Sequence, residues 1–345
     1  MTSRVRDGSS PSRALIALVM TALLCVGLLS TASEAAGATP GARSDTALYQ
    51  AADERAVPVA EASLFAMPVR CFEPDGDPRL GACRLLPRRP GAPTLVVWGD
   101  SHAREMLTGI IKAIGHRRVN LVAYIAGGCP PVDPGHGPDA PAVIAAGCEK
   151  HNALAVRDLT RMSRHHRRVQ VVVAAGWELY RNAIDGQFGR WQTYGNSYIS
   201  QTARLVPRGL PRLFRTMRRL DLTTHVVGQA PMIPNNPPAC AGAFNEIDFT
   251  HATPRDFAYP CALPRTTVMV AAKPLRRALR ANLRLLRPAR RGHLVMPAQV
   301  LCRSGTCPGV VDRAEVWHDP VHISNRSSAR LAPLFRPVVR AVVAR

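Results

Sequence analysis

Lysine is nearly absent from this sequence, and acidic residues are scarce. Lys112, Lys150 and Lys273 are the only lysines, so 42 of the 45 basic residues are arginine, and 24 acidic residues leave a formal charge of +21. No internal period is found in the 345 residues, which excludes a solenoid. A hydrophobic fraction of 46% excludes a wholly disordered chain. The length allows one large domain or two ordinary ones.

The arginine excess does not indicate a nucleic-acid partner. Arginine is concentrated at 161–168 and 276–291. The second stretch lies in a segment whose leucines share one helix face, so its arginines form a solvated face. Together with the export and disulfides predicted below, this argues against nucleic-acid binding. Contact with an anionic membrane or wall surface is the better interpretation of the charge.

Long apolar runs are also lacking, with one exception at the N-terminus. Three arginines precede the apolar or small run Ala14 to Leu29, and small residues follow at 32–36. This order predicts a secretory signal peptide over 1–35, or an uncleaved anchor, because the 19 residues from Ala14 to Ala32 approach the length that spans a bilayer. Cys25 follows two leucines, which argues against a lipoprotein-type modification. The mature chain is expected to be extracytoplasmic: secreted, periplasmic or at the cell surface.

No CxxC pair is present, which argues against a cysteine metal site. Without Cys25 the chain has eight cysteines, an even number, and in an exported protein this predicts disulfides. Their connectivity cannot be deduced from the sequence, but the spacing forms local couples: Cys71 with Cys83, Cys129 with Cys148, Cys240 with Cys261, and Cys302 with Cys307. Neither a metal nor a cofactor is expected.

The chain divides near residue 94. Residues 36–93 are predicted to be a linker and a small Cys71/Cys83 lobe, and 94–345 the main domain. From there, short apolar runs alternate with amphipathic ones, which predicts a parallel sheet covered by helices on both faces. Residues 229–266 hold seven prolines and are expected to be an ordered insertion near a site. The fold class is α/β: a flavodoxin-like, three-layer α/β/α arrangement with a five-stranded parallel sheet. The predicted elements are strands at 94–98, 119–124, 169–174, 225–228 and 293–296, and helices at 103–114, 143–164, 200–220, 272–286 and 327–342.

The two ends of the main domain carry residues suited to nucleophilic catalysis. Gly-Asp-Ser-His at 99–102 follows the first strand and directly precedes a helix, where a serine hydroxyl is exposed and its N–H can stabilise an oxyanion. Alone, this motif is more typical of a helix cap. Asp319 and His322 are three residues apart before the final helix, so the carboxylate can orient the imidazole. With Ser101 they supply a nucleophile, a base and an orienting group.

These motifs resemble the SGNH (GDSL-like) hydrolase superfamily. The closest likeness is to the extracytoplasmic SGNH domains associated with membrane O-acyltransferases of cell-surface polysaccharides. Supporting segments are Gly128-Cys129-Pro130-Pro131 and Ala174-Ala175-Gly176-Trp177. The resemblance covers roughly 94–344 and implies the SGNH hydrolase fold.

The resemblance implies a role for each matching residue. Ser101 would be the nucleophile, His322 the general base and Asp319 its partner. The Ser101 N–H and that of Gly127 or Gly128 would form the oxyanion hole. Where the superfamily has Gly-x-Asn, this chain has Gly176-Trp177-Glu178, and the nearest asparagine is Asn182.

Other residues near these motifs are assigned lesser roles. Asp100 is expected to be structural, and His102, His165, His166 and His318 are expected to take no part in the chemistry. Aromatic residues are clustered after the third strand and either stack on sugar rings or anchor the fold: Trp177, Tyr180, Trp191, Tyr194 and Tyr198.

Two functions from different classes follow. The first is a serine-dependent acyl esterase or O-acetyltransferase acting on cell-envelope carbohydrate through an acyl-enzyme on Ser101. Its partners would be an acylated or acceptor polysaccharide and a membrane acyltransferase. The second is a non-catalytic glycan-binding or accessory module that assists such an acyltransferase. The missing Gly-x-Asn favours the second, and the intact Ser, Asp and His favour the first.

Overall fold

The computed structural model describes residues 67–68, 71, 80–165, 168–180, 197–231, 263–303, 305–311, 314–317 and 321–344. The predicted signal segment at 1–35 and most of the predicted insertion lie outside these residues. Within the described ranges, no helix combines the length and hydropathy needed to cross a bilayer.

A six-stranded sheet forms the centre of the domain. Its spatial order is β1-β3-β2-β4-β5-β7. Five of these strands are parallel, as predicted, and β1 is an added antiparallel edge strand that pairs with β3. The fold class predicted from the sequence is confirmed. The sheet strands are β1 (Cys83–Arg84), β2 (Thr94–Gly99), β3 (Asn120–Ile125), β4 (Val169–Ala174), β5 (Thr223–Val227) and β7 (Arg291–Val295).

The central strands are continuous apolar runs because both faces of the sheet are covered. Leu95 to Trp98 in β2 and Val171 to Val173 in β4 are fully buried. A half-exposed antiparallel strand would alternate apolar and polar residues instead. The same continuity made these strands recognisable in the sequence.

The helices connect the strands and form the two outer layers. Three helices predicted as single elements are each split in two, at Met106, near Arg204 and at Leu331. The helices are α1 (Ser101–Glu105), α2 (Leu107–Ile114), α3 (Ala146–His165), α4 (Ser197–Ala203), α5 (Val206–Arg219), α6 (Arg265–Leu283), α7 (Ala298–Leu301), α8 (Asn325–Arg330) and α9 (Ala332–Val343), with a 3-10 turn at Pro288–Arg290.

Each face of the sheet has its own hydrophobic core. On one face, α2 and α9 pack through residues such as Ile110 and Phe335. On the other face, α3, α5 and α6 contribute Leu159, Phe214 and Leu279. The leucine face predicted for the α6 segment is buried here, as Leu275, Leu279, Leu283 and Leu286 show.

Short strand pairs and disulfides fasten the loops around this sheet. Two antiparallel pairs join β6 (Leu263–Pro264) to β8 (Thr306–Cys307), and β9 (Val310–Val311) to β10 (Ala314–Glu315). Three of the four predicted disulfides are present: Cys71–Cys83, Cys129–Cys148 and Cys302–Cys307. The fourth predicted couple, Cys240 and Cys261, lies outside the described residues.

Candidate active site

The candidate site lies at the carboxyl edge of the parallel sheet, where β2 gives way to α1. Gly99 ends β2 against β4, and a Cβ there would overlap the carbonyl oxygen of Ala174. Only glycine therefore lets the two backbones come so close. Ser101 is the first residue of α1 and is half-buried.

Asp100 links the elements at this edge of the sheet through hydrogen bonds. Its carboxylate is 1% exposed and accepts three hydrogen bonds. One oxygen accepts from the His102 N–H at 2.8 Å and so caps α1. The other accepts from the Gly176 N–H at 3.0 Å and from the Tyr180 hydroxyl at 2.5 Å. Asp100 therefore joins the start of α1 to the segment after β4, which is the structural role expected for it.

Ser101 and His322 come together although 221 residues separate them in sequence. The Ser101 hydroxyl lies 2.7 Å from Nε2 of His322 and is placed to donate to it. His322 is half-buried in a loop closed by an antiparallel bridge between Trp317 and Ile323. The Trp317 indole donates to the Pro231 carbonyl at 2.8 Å, and Ser324 caps α8 directly after the loop. The predicted nucleophile and the predicted base are thus within hydrogen-bond reach.

A buried histidine and a buried glutamate lie next to this pair. The His102 ring centroid is 4.5 Å from that of His322, with 34° between the planes. Nδ1 of His102 donates to Glu105 at 3.2 Å, and Glu105 also accepts from the Ile323 N–H at 2.7 Å. The contacts of His102 and Glu105 with the His322 segment were not predicted from the sequence. The signal that could have revealed them is the His-x-x-Glu spacing of 102 and 105, which places both side chains on one face of a helix.

Several predicted site residues are not part of the described chain. Asp319, the predicted partner of His322, and Asn182, the nearest asparagine for the oxyanion hole, both lie outside it. His166 and His318 also lie outside, and so do Trp191 and Tyr194.

Gly127 and Gly128 follow the carboxyl end of β3, one strand from Ser101. Gly127 is exposed, and Gly128 has a φ of 63°, a backbone conformation that favours glycine. The next residue, Cys129, is bonded to Cys148 of α3. The two glycines thus lie at the same edge of the sheet as Ser101, on a turn that the Cys129–Cys148 disulfide holds in place.

Asn152, which the sequence analysis did not single out, supports the same turn. It is fully buried in α3. Its amide donates to the Pro130 carbonyl at 2.9 Å and accepts from the Trp98 indole at 2.9 Å. It therefore fastens the segment after β3 to β2, the strand that leads to Ser101.

The segment after β4 is held by bonds to β5. Gly176 ends the extended segment, and residues 177–180 form one helical turn. The Trp177 indole donates to the Val227 carbonyl at 2.8 Å, and the Glu178 N–H donates to the Gln229 side chain at 2.7 Å. Trp177 and Tyr180 are 3% and 1% exposed. For these two aromatic residues the structure favours anchoring over sugar stacking.

Burial shifts the pKa of three groups in the described part of the chain. Burial lowers the pKa of Arg104, three residues after Ser101. Burial, followed by the charge of Asp158, raises the pKa of Tyr124, which donates to that carboxylate at 3.1 Å. Burial lowers the pKa of His151 to about 4 and keeps it neutral near pH 7. Across the described residues, no group of three or more His, Cys, Asp or Glu side chains could hold a metal ion.

The fold and the Ser–His pair define a class: an α/β protein with the architecture of the SGNH hydrolases. Residues 70–337 match the family described as SGNH domain (fused to AT3 domains). Because this match spans well over half of the sequence, the chain belongs to the SGNH-domain family. The resemblance drawn from the sequence is confirmed.

Two solved structures are similar to this chain at low identity. The periplasmic domain of a lipopolysaccharide acetyltransferase from Salmonella ser. Paratyphi A is 13% identical, with a TM-score of 0.45, over 74% of this chain and 85% of its own. A carbohydrate acetylesterase family member from Sinorhizobium meliloti is 16% identical, with a TM-score of 0.33, over 73% of this chain and 100% of its own. No curated protein matches this chain.

Proposed function

We propose that this protein is an exported acyl esterase or O-acetyltransferase that acts on cell-envelope carbohydrate through an acyl-enzyme on Ser101. The observation that carries the proposal is the 2.7 Å separation of the Ser101 hydroxyl from Nε2 of His322, at the ligand-binding edge of an SGNH-family sheet. A serine becomes a nucleophile at neutral pH when an adjacent base takes its proton.

The proposed reaction has two halves. In the first, Nε2 of His322 takes the hydroxyl proton as Oγ of Ser101 attacks the ester carbonyl carbon, and the tetrahedral intermediate then expels the alcohol, which receives that proton. In the second, His322 deprotonates water or a sugar hydroxyl, whose oxygen attacks the acyl carbon; the new tetrahedral intermediate then expels Oγ of Ser101, which receives that proton from His322. Water gives hydrolysis, and a sugar hydroxyl gives transfer. Asp319 would hold the imidazole in the required tautomer.

Backbone donors would stabilise the oxyanion of the intermediate. The candidates are the N–H groups of Ser101 and of Gly127 or Gly128. In the segment after β4, Gly176 already donates to Asp100 and Glu178 to Gln229, so these two backbone groups are engaged elsewhere. Asn182 remains the candidate for a third donor. One such donor contributes about 3 kcal/mol of transition-state stabilisation.

The family description supports the proposed substrate class and partner. Members are described as fused to AT3 domains. This supports a membrane acyltransferase as a partner of the present chain, and with it an acylated or acceptor polysaccharide as the substrate. The three disulfides support an extracytoplasmic location, because disulfides persist in oxidising compartments.

Paired substitutions test the catalytic assignment. Ser101→Ala and His322→Ala should each abolish turnover of a generic acetyl ester to a similar extent, and the double variant should cost little more, because triad residues act as a unit. Asp319→Asn should lower activity and leave the fold intact, because it misorients the imidazole without opening a cavity. Circular dichroism checks the fold of each variant.

The second candidate function is a glycan-binding or accessory module. The absence of Gly-x-Asn at 176–178 favours it. Full esterase or transferase activity in folded Ser101→Ala would disprove the enzyme proposal and leave this module in its place. Similarly, a wild-type Ser101 that is inert to a fluorophosphonate would favour the module, because such reagents require an activated serine.

A further inference from the structure

The helix that carries Ser101 also carries two buried polar side chains that the proposed reaction does not use. His102 and Glu105 are 2% and 1% exposed, and they are bonded to each other between Nδ1 and Oε1 at 3.2 Å. Taking such a pair out of water costs free energy that an apolar pair of similar volume would avoid. A contribution to the site would account for their presence.

Glu105 is bonded to the segment that carries His322. Its second carboxylate oxygen accepts from the Ile323 backbone N–H at 2.7 Å. Ile323 directly follows His322, and hydrogen bonds to a carboxylate are stronger than neutral ones. The last residue of α1 therefore fixes the backbone next to His322 relative to the first residue of α1, Ser101.

The imidazole ring of His102 lies next to that of His322, with 34° between the two planes. The two ring centroids are 4.5 Å apart. Two neighbours fix the orientation of the His102 ring: Glu105 accepts from Nδ1, and the backbone of Gly176 lies against its other edge. A Cβ on Gly176 would come within 2.6 Å of Cδ2 and Nε2 of His102, so the absence of a side chain there makes room for the ring.

We propose that Glu105 and His102 are positioning residues that hold His322 in register with Ser101. Glu105 fixes the backbone that follows His322, and His102, oriented by Glu105, supports the imidazole ring. The proposal rests on the function proposed above, because it requires His322 to act as the base for Ser101. Its physical basis is that the relative positions of a nucleophile and its base must be held to within a fraction of an ångström.

The test compares Glu105→Ala, Glu105→Gln and Gln170→Ala with the wild type. Gln170 is the matched control because it is also buried and bonded on both sides, to His225 at 2.8 Å and to the Ala341 carbonyl at 2.6 Å, but it lies at the opposite end of β4. Three quantities are measured for each: the rate at which a fluorophosphonate labels Ser101, kcat and KM for a generic acetyl ester, and the melting temperature.

Glu105→Ala should lower kcat and the labelling rate about 100-fold with little change in KM, because a misplacement of about 1 Å costs that much. Glu105→Gln should recover most of the loss, since its amide oxygen can still accept from the Ile323 N–H. Gln170→Ala should lower the melting temperature and leave both rates unchanged. If Glu105→Ala fails to fold, His102→Ala replaces it, with kcat expected to fall at unchanged KM.

Equal labelling of Ser101 in the wild type and in Glu105→Ala would overturn this inference and leave the proposed function intact. The same applies if Gln170→Ala slows labelling as much as Glu105→Ala, because the effect would then be general destabilisation. A wild-type Ser101 that is not labelled at all would remove the proposed function, and this inference with it.

Discussion

The hydrogen bond between Tyr180 and Asp100 allows a quantitative test of how the site is built. Both residues are 1% exposed, and the tyrosine hydroxyl donates to the carboxylate at 2.5 Å. Tyr180→Phe removes only this donor. A hydrogen bond to a charged group contributes about 1.5–3 kcal/mol. In a domain of this size, each kcal/mol shifts the melting temperature by about 2–4 °C, which predicts a drop of about 3–12 °C.

A second tyrosine provides the matched control for this experiment. Tyr124 is also fully buried and donates to a carboxylate, that of Asp158, but over 3.1 Å. When the Tyr124 hydroxyl is removed, Asp158 still accepts a hydrogen bond from the Arg161 guanidinium at 2.7 Å. Tyr124→Phe should therefore lower the melting temperature less than Tyr180→Phe does.

Differential scanning calorimetry measures both variants. The reasoning is refuted if Tyr180→Phe unfolds at the wild-type temperature, or if its loss is no larger than that of Tyr124→Phe. A larger loss is expected for Asp100→Asn, because an amide group would replace either the oxygen that accepts from the His102 N–H or the one that accepts from the Gly176 N–H and the Tyr180 hydroxyl.

Three further predictions concern the loops and the surface. The bond to the Gly137 carbonyl, together with Glu149, raises the pKa of His136 above 6.5. Protonated His136 therefore stabilises the folded protein, and this contribution is fully present below pH 6.5 and is lost as the pH rises through the raised pKa. In urea unfolding, His136→Gln should accordingly lower the free energy of unfolding more at about pH 6 than at about pH 9. Replacing both Cys129 and Cys148 by alanine should cost about 3 kcal/mol, because their disulfide closes a loop with a separation of 19 residues; an equal free energy of unfolding would contradict this. Helices α5 and α6 contain basic but no acidic residues. Vesicles of anionic phospholipid should therefore bind the protein and release it at about 1 M salt, whereas binding that is insensitive to salt would contradict the electrostatic account.

The sequence predicts the fold well where one physical signal dominates. The runs at 95–98 and 171–173 could only be buried strands, and both are fully buried. The edge strand β1 was not predicted, because two residues carry no periodicity and their pairing depends on a distant strand, β3. The local cysteine couples predicted three disulfides correctly because each closes a short loop.

The site was only partly predictable, for a different reason. Ser101 and His322 stand in recognisable motifs, so roles could be proposed for them from residue type and position, and the structure brings the two side chains together. The contribution of His102 and Glu105 could not be inferred in this way, although His102 ends the Gly-Asp-Ser-His motif and the spacing of the two residues places them on one helix face. Their contact with the His322 loop is a tertiary one across more than 200 residues, and only the fold brings it about.

Trapping the acyl-enzyme tests the central claim most directly. The protein is mixed with an activated acetyl ester, quenched in acid within the first turnover and digested, and the acetylated peptide is sequenced by mass spectrometry. The account predicts one acetyl group, on Ser101, which is absent from Ser101→Ala and forms much more slowly in His322→Ala. Acetylation of a different residue, or turnover of the ester with no acetyl group on Ser101, would contradict it.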